Sequence, residues 1–143
     1  MTDKTELLKL FVENFIQKDK RERCLQELTK VKYRNKFTDS LNHNWERIFN
    51  RKTLRELDKN QDSYTYVQQQ LKIKDSELCY LISDEEDDDT IFSFKDAFEI
   101  INSATYGGLL INIAGNKLFL KTEDSLPHTS RYIGVVTSVT SGS

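Results

Sequence analysis

Two different hydrophobic periods divide this sequence near residue 77, and a chain that carries both must place helices against a sheet. Before that point apolar residues recur at helical spacing. Leu7, Phe11 and Phe15 stand at i, i+4 and i+8 with Leu8 and Val12 beside them, a stripe wide enough to face a core. After it, "ELCYLIS" is a nearly continuous apolar run of strand length, the pattern of a strand buried on both faces. The expectation is a single α+β domain over 1–143, with N-terminal helices packed on a small mixed β-sheet. Residues 1–72 form a mainly helical part and 77–123 a strand-helix-strand-strand part. Residues 124–143 form a tail with material for one further strand in Ile133, Val135 and Val136.

Local signals place the elements. Asp19 with Glu22 three residues on reads as a capping box for a second helix bearing Cys24, Leu25 and Leu28. If that helix continued, Tyr33, Phe37 and Leu41 would point away from Leu25 and Leu28. A break over Thr29 to Val31 is therefore expected, with Tyr33, Phe37 and Leu41 as the buried stripe of a third helix. Trp45, Ile48 and Phe49 are large enough to plug the core, and Thr53 to Leu57 reads as a further helical turn. Ser63 is a candidate N-cap for a helix through Leu71, and Ser93 with Asp96 starts another that buries Phe94, Ala97, Phe98 and Ile101. Gly115 and Asn116 predict a two-residue hairpin turn between strands over 109–114 and 117–122, alongside a first strand over 77–82.

With 143 residues, 37% of them hydrophobic, the chain can bury a core of its own. No run approaches the roughly 18 apolar residues of a membrane span, and the first turns are interrupted by Lys9, Glu13 and Asn14. Cys24 and Cys79 lack CxxC spacing and read as buried small hydrophobes in a reducing compartment. A cytoplasmic protein without membrane contact is expected. The net charge of −2 conceals an asymmetry: residues 1–59 carry +5 and residues 60–143 carry −7. Opposed halves either attract each other within one fold or present a dipolar surface to a partner.

Between "YLIS" and "TIFSF" stand six consecutive acids, Asp84, Glu85, Glu86, Asp87, Asp88 and Asp89. A calcium loop needs Gly at position 6 and Glu at position 12. Counted from Asp84 those positions hold Asp89 and Lys95, and counted from Asp88 the sixth is Ser93, so neither register fits. A magnesium site needs fewer carboxylates but also a phosphate-bearing substrate, and no P-loop or G-x-G-x-x-G motif accompanies the acids. Adjacent like charges are held in water unless paired, so the plainest reading is a solvated loop. Its leading functional reading is a contact edge for a basic protein surface, with the basic half of the same chain as an internal recipient.

"KDKRERCLQELTKVKYRNK" carries eight basic residues against three acids and raises nucleic-acid binding through Arg23, Lys30 and Arg34. Those three align only on an unbroken helix, and the expected break, with a sequence pI of 5.7, disfavours nucleic acid as a partner. His43 and His128 sit among small polar residues without ligand spacing. A Cys79–His43 dyad is opposed by the apolar strand around Cys79, which disfavours thiolate. Ser83 lacks the G-x-S-x-G elbow. No cofactor is expected.

The residues "CYLIS", an acid-bearing loop, a helix, and "INIAGNKLFLKTE" together resemble a group of small uncharacterised bacterial proteins. In that group a helical, basic N-terminal part precedes a C-Y-x-I-S strand and a strand, Gly-containing turn and second strand. The resemblance covers 77–123 and, more loosely, 18–41. It implies a bacterial, single-domain, cytoplasmic protein and carries no activity, and the full "DEEDDD" run departs from the group's pattern. A non-enzymatic protein that binds another protein through Asp84 to Asp89 is the leading expectation. The alternatives are a metal-assisted enzyme on a small phosphate-bearing substrate and a weak nucleic-acid binder.

Overall fold

The computed structural model describes residues 4–104, 106–122 and 130–136. Four helices come first: α1 (Lys4–Phe15), α2 (Arg21–Thr29), α3 (Arg34–His43) and the single turn α4 (Trp45–Ile48). Strand β1 (Leu54–Glu56) and helix α5 (Tyr64–Leu71) follow, then β2 (Leu78–Ser83), β3 (Ile91–Ser93), α6 (Phe94–Asn102), β4 (Gly108–Asn112), β5 (Lys117–Lys121) and β6 (Arg131–Val135). The strands form one sheet in the order β1-β6-β5-β4-β2-β3.

Helices cover both sheet faces. On one, Tyr80, Ile82, Leu109, Ile111, Leu118 and Leu120 share a core with the apolar residues of α1 to α4. On the other, Cys79, Leu81, Leu110, Phe119 and Ile133 pack with α5 and α6. Successive residues of one strand thus enter opposite cores, so the central strands are apolar at nearly every position.

The α+β class is as expected, but every strand pairing is antiparallel, where the sequence reading anticipates a mixed sheet. The reason is β3, a strand that reading lacks. The acid run turns the chain back into a hairpin, so α6 connects β3 to β4 and the two flank β2 on either side.

Other expectations are corrected. Asp19 does not cap α2: it lies in a 3-10 turn, Lys18–Lys20, and α2 starts at Arg21 without a side-chain cap. Thr53 to Leu57 is no helical turn, because Leu54–Glu56 pairs with the open edge of β6. Four residues, Ile113 to Asn116, separate Asn112 from Lys117, in place of a two-residue turn, and the Asn112 Oδ1 accepts from the amides of Asn116 and Lys117. The anticipated break is present, with Lys30 extended between α2 and a 3-10 turn Val31–Tyr33. Tyr33 therefore sits outside α3, and Arg34 joins Phe37 and Leu41 on its buried side. Ser63 and Ser93 do cap, accepting from the amides of Tyr66 and Asp96. The tail strand exists as β6, while His128 and residues 137–143 lie outside the described residues.

Candidate functional site

The acid run is the loop of the β2–β3 hairpin, and its last two residues are held by partners from the rest of the fold. The ladder closes where the Asp89 amide donates to the Leu81 carbonyl at 3.0 Å and the Leu81 amide to the Thr90 carbonyl at 2.9 Å. Asp89 has φ +62°, a left-handed conformation that Asp tolerates better than most residues. This geometry carries Asp88 and Asp89 over the first turn of α3.

There Arg34 meets Asp88 as a fork. Nε donates to Oδ2 at 2.8 Å and Nη2 to Oδ1 at 2.6 Å, the bidentate arrangement that guanidinium and carboxylate geometry favours. Nη1 donates to the Leu28 carbonyl at 3.0 Å and to the Tyr80 hydroxyl at 2.9 Å. The Tyr80 hydroxyl donates to Asp89 Oδ1 at 2.5 Å, and the Ser83 amide donates to Asp88 Oδ1 at 3.0 Å. Lys4 of α1 reaches Asp89 at 3.4 Å. The basic and acidic halves of the chain are thus joined across the fold.

Burial works against charge in this cluster, and its partners outweigh burial. Although desolvation disfavours the Arg34 cation, the hydrogen-bonded Asp88 holds its pKa above the ordinary value. For Asp89, burial opposes ionisation, but the Tyr80 hydroxyl, Arg34 and Lys4 keep the carboxyl below its ordinary range. Burial and the Asp89 hydrogen bond push the Tyr80 phenol up. The whole arrangement is a structural clasp with its charges satisfied.

Of the six acids, four remain outside the clasp. Asp84 and Glu86 are exposed, Glu85 and Asp87 half-buried, and the last two hold the loop through their backbones: the Glu85 carbonyl accepts from the Asp88 amide and the Asp87 carbonyl from the Thr90 hydroxyl. Asp88 and Asp89 are therefore engaged within the fold, Asp88 by Arg34 and Asp89, whose side chain is 43% exposed, by Tyr80 and Lys4. Arg34 leaves the candidate nucleic-acid set for the same reason: it is 7% exposed and committed to Asp88.

Arg23 and Lys30 stay on the surface but are not joined by Arg34. The Arg23 Nε donates to Glu27 at 3.1 Å, and Lys30 lies beside Tyr33 with Lys32 and Lys36. A shallow groove of about 370 Å³ runs between Arg23, Glu27, Lys30, Tyr33 and Lys36. A second hollow of about 230 Å³, which shares Arg23 and Glu27 with it, has Lys20, Arg47 and Cys24 in its wall.

The catalytic candidates are not assembled. Cys79 faces the α5–α6 core, while His43 is exposed at the end of α3, 2.9 Å from the Asp39 carbonyl. Burial pushes both thiols up to about 12, aided at Cys24 by Glu27 and at Cys79 by Glu77. Ser83 is buried and its hydroxyl accepts from the Glu85 amide. Among the described residues no three His, Cys, Asp or Glu side chains are grouped so as to hold a metal ion, and no helix is long and apolar enough to cross a membrane. Sequence reasoning missed the central role of Arg34. Its signal was present: Arg34, Phe37, Thr38 and Leu41 stand at i, i+3, i+4 and i+7, which puts Arg34 on the inward stripe.

Comparison with protein-family models, curated proteins and solved structures found no match to this chain.

Proposed function

We propose that this chain is a non-enzymatic binding protein whose contact edge is the outer part of the acidic loop, Asp84 to Asp87, and whose partner presents a basic surface. The observation that supports this reading is the Arg34–Asp88 fork. A hairpin loop anchored at its base loses little conformational freedom on binding, and its free carboxylates accelerate encounter with a basic patch. The clasp also divides the run by role, with Asp88 and Asp89 anchoring and the preceding four acids presented.

The test compares proteins retained from a native lysate by the wild type and by a D84N/E85Q/E86Q/D87N variant, which leaves the clasp intact. A protein retained by the first, lost from the second and released by rising salt is the expected result. Identical retention by both at low salt would remove the loop from any binding role.

A further inference from the structure

Beside the acidic loop, the corner between α2 and α3 collects positive charge around the Tyr33 ring. Lys32 and Lys36 place Nζ 5.0 Å from the Tyr33 ring centroid and Lys30 lies at 6.0 Å. All three lysines are exposed, and among the described residues none is in a salt bridge. The ring quadrupole attracts each ammonium, while the ammoniums repel one another, so the cluster keeps an unspent attraction for anions. Within the same turn Val31 is 87% exposed, the most exposed large apolar side chain described. The adjoining groove runs from Lys30 and Lys36 to Arg23, whose charge is paired with Glu27.

We propose that this corner is a docking surface for a short acidic protein segment with an apolar anchor, which sets its carboxylates among Lys30, Lys32 and Lys36 and its anchor on Val31. The surface adjoins the acidic-loop edge, with Lys36 and Asp84 bordering one hollow, and its test changes the lysines alone, so it stands or falls independently of that edge. The lysine ammoniums supply the charge complementarity that speeds encounter with an acidic segment, and exposed Val31 in the same turn offers apolar area for an anchor to cover. The surrounding charges favour a peptide over a nucleic acid. Immediately beyond Lys36, Asp39 and Asp84 border the next hollow, and Glu27 lines the groove itself. A phosphodiester strand carries a negative charge at every nucleotide and would be driven across those carboxylates, whereas a short peptide can end before them. Val31 offers a methyl contact and no stacking plane.

The probe is a fluorescein-labelled peptide of alternating Glu and Asp with a central leucine, titrated by anisotropy at low salt against wild type, K30E/K32E/K36E and K30Q/K32Q/K36Q. A labelled oligothymidine of similar length and a peptide with serine for leucine are run beside it. Saturable peptide binding is expected, weaker by roughly tenfold or more in the charge-reversed variant and by less in the neutralised one. Replacing the leucine is also expected to weaken it. Unchanged melting temperatures for both variants show that the fold is intact, and if the reversed variant melts early the neutralised one decides. Absence of saturable binding, equal affinity in wild type and the neutralised variant, equal affinity of the leucine and serine peptides, or tighter binding of the oligothymidine would each overturn the proposal.

Discussion

Arg34 and Asp88 lie 54 positions apart in the chain and are joined by two parallel hydrogen bonds of 2.8 and 2.6 Å. The Arg34 side chain is 9% exposed and that of Asp88 21%, so Arg34 cannot return to water if Asp88 is removed, and Asp88 does so only in part if Arg34 is. Breaking such a pair from one side leaves a desolvated charge, at a cost of about 3 kcal/mol. Arg34→Met and Asp88→Asn are therefore each expected to lower the urea midpoint strongly. The double variant should lose less than the sum of the two, because the second change removes the charge stranded by the first. Additive losses in urea titrations would show that the fork contributes no coupling.

The outer acids should behave oppositely. Asp84 and Glu86 are exposed, and solvated side chains away from caps and pairs alter stability by within about 0.5 kcal/mol. An Asp84→Asn, Glu86→Gln variant is expected to melt with the wild type, or slightly above it as repulsion within the run falls. A clear drop in melting temperature would mean that these carboxylates are structural as well.

What the sequence could and could not convey follows the range of the interactions. Ser63 and Ser93 act on amides three residues away, so their caps are readable from local spacing alone. The apolar stripes of α1 and α6 were legible for the same reason. β1 was not, because Leu54–Glu56 owes its extended form to pairing with β6 some eighty residues later, and no local pattern records a distant partner. The acid run fell between these cases. Its charge was plain, but two of its six members are paired within the fold because Arg34, Lys4 and Tyr80 converge on them, a fact of tertiary position. With no stretch of backbone visible between "YLIS" and the capped helix, β3 was hidden inside what read as a loop.

The Asp89 carboxyl gives the clasp an acid limit. Its folded pKa lies below the ordinary 3.8, since the Tyr80 hydroxyl, Arg34 and Lys4 outweigh the cost of burial. A depressed carboxylate adds stability that is fully present above its unfolded pKa and is lost as pH falls through the folded one. The loss should therefore begin as pH drops toward 3.8 and continue below it. Asp89→Asn keeps a side chain that tolerates the left-handed backbone and removes the titration. Urea midpoints taken across this range should fall less steeply with acid in the variant, and parallel slopes would assign the acid sensitivity elsewhere.

Both cysteines should be silent in the folded protein. Cys24 and Cys79 are 4% and 0% exposed, and their thiols are pushed up to about 12, so at mildly alkaline pH little thiolate exists at either; Cys79 is sealed off, and Cys24 shows only an edge to the hollow beside Lys20 and Arg47. A chromogenic disulfide reagent is expected to titrate no thiol until guanidinium is added, and then both. Rapid reaction of either in native buffer would indicate local opening of its element.

Gly115 ties the β4–β5 turn to the first helix. Its φ is +75°, and a Cβ placed there would lie 2.7 Å from Leu10 Cβ. Two penalties therefore act together on Gly115→Ala: the left-handed backbone, which costs an alanine about 1 kcal/mol or more, and a contact too short for either neighbour to accept. Relief requires the turn to move off α1, which also strains the bond from Asn14 Nδ2 to the Gly115 carbonyl at 2.8 Å. A loss of roughly 2–3 kcal/mol is expected for G115A, and a smaller one for Asn14→Ala, which removes that hydrogen bond without a clash. Since both changes loosen the same contact, the double variant should fall short of additivity. Guanidinium unfolding of the two single variants and the double one measures this directly, and an alanine at 115 as stable as the wild type would mean that the turn does not rest on α1 in solution.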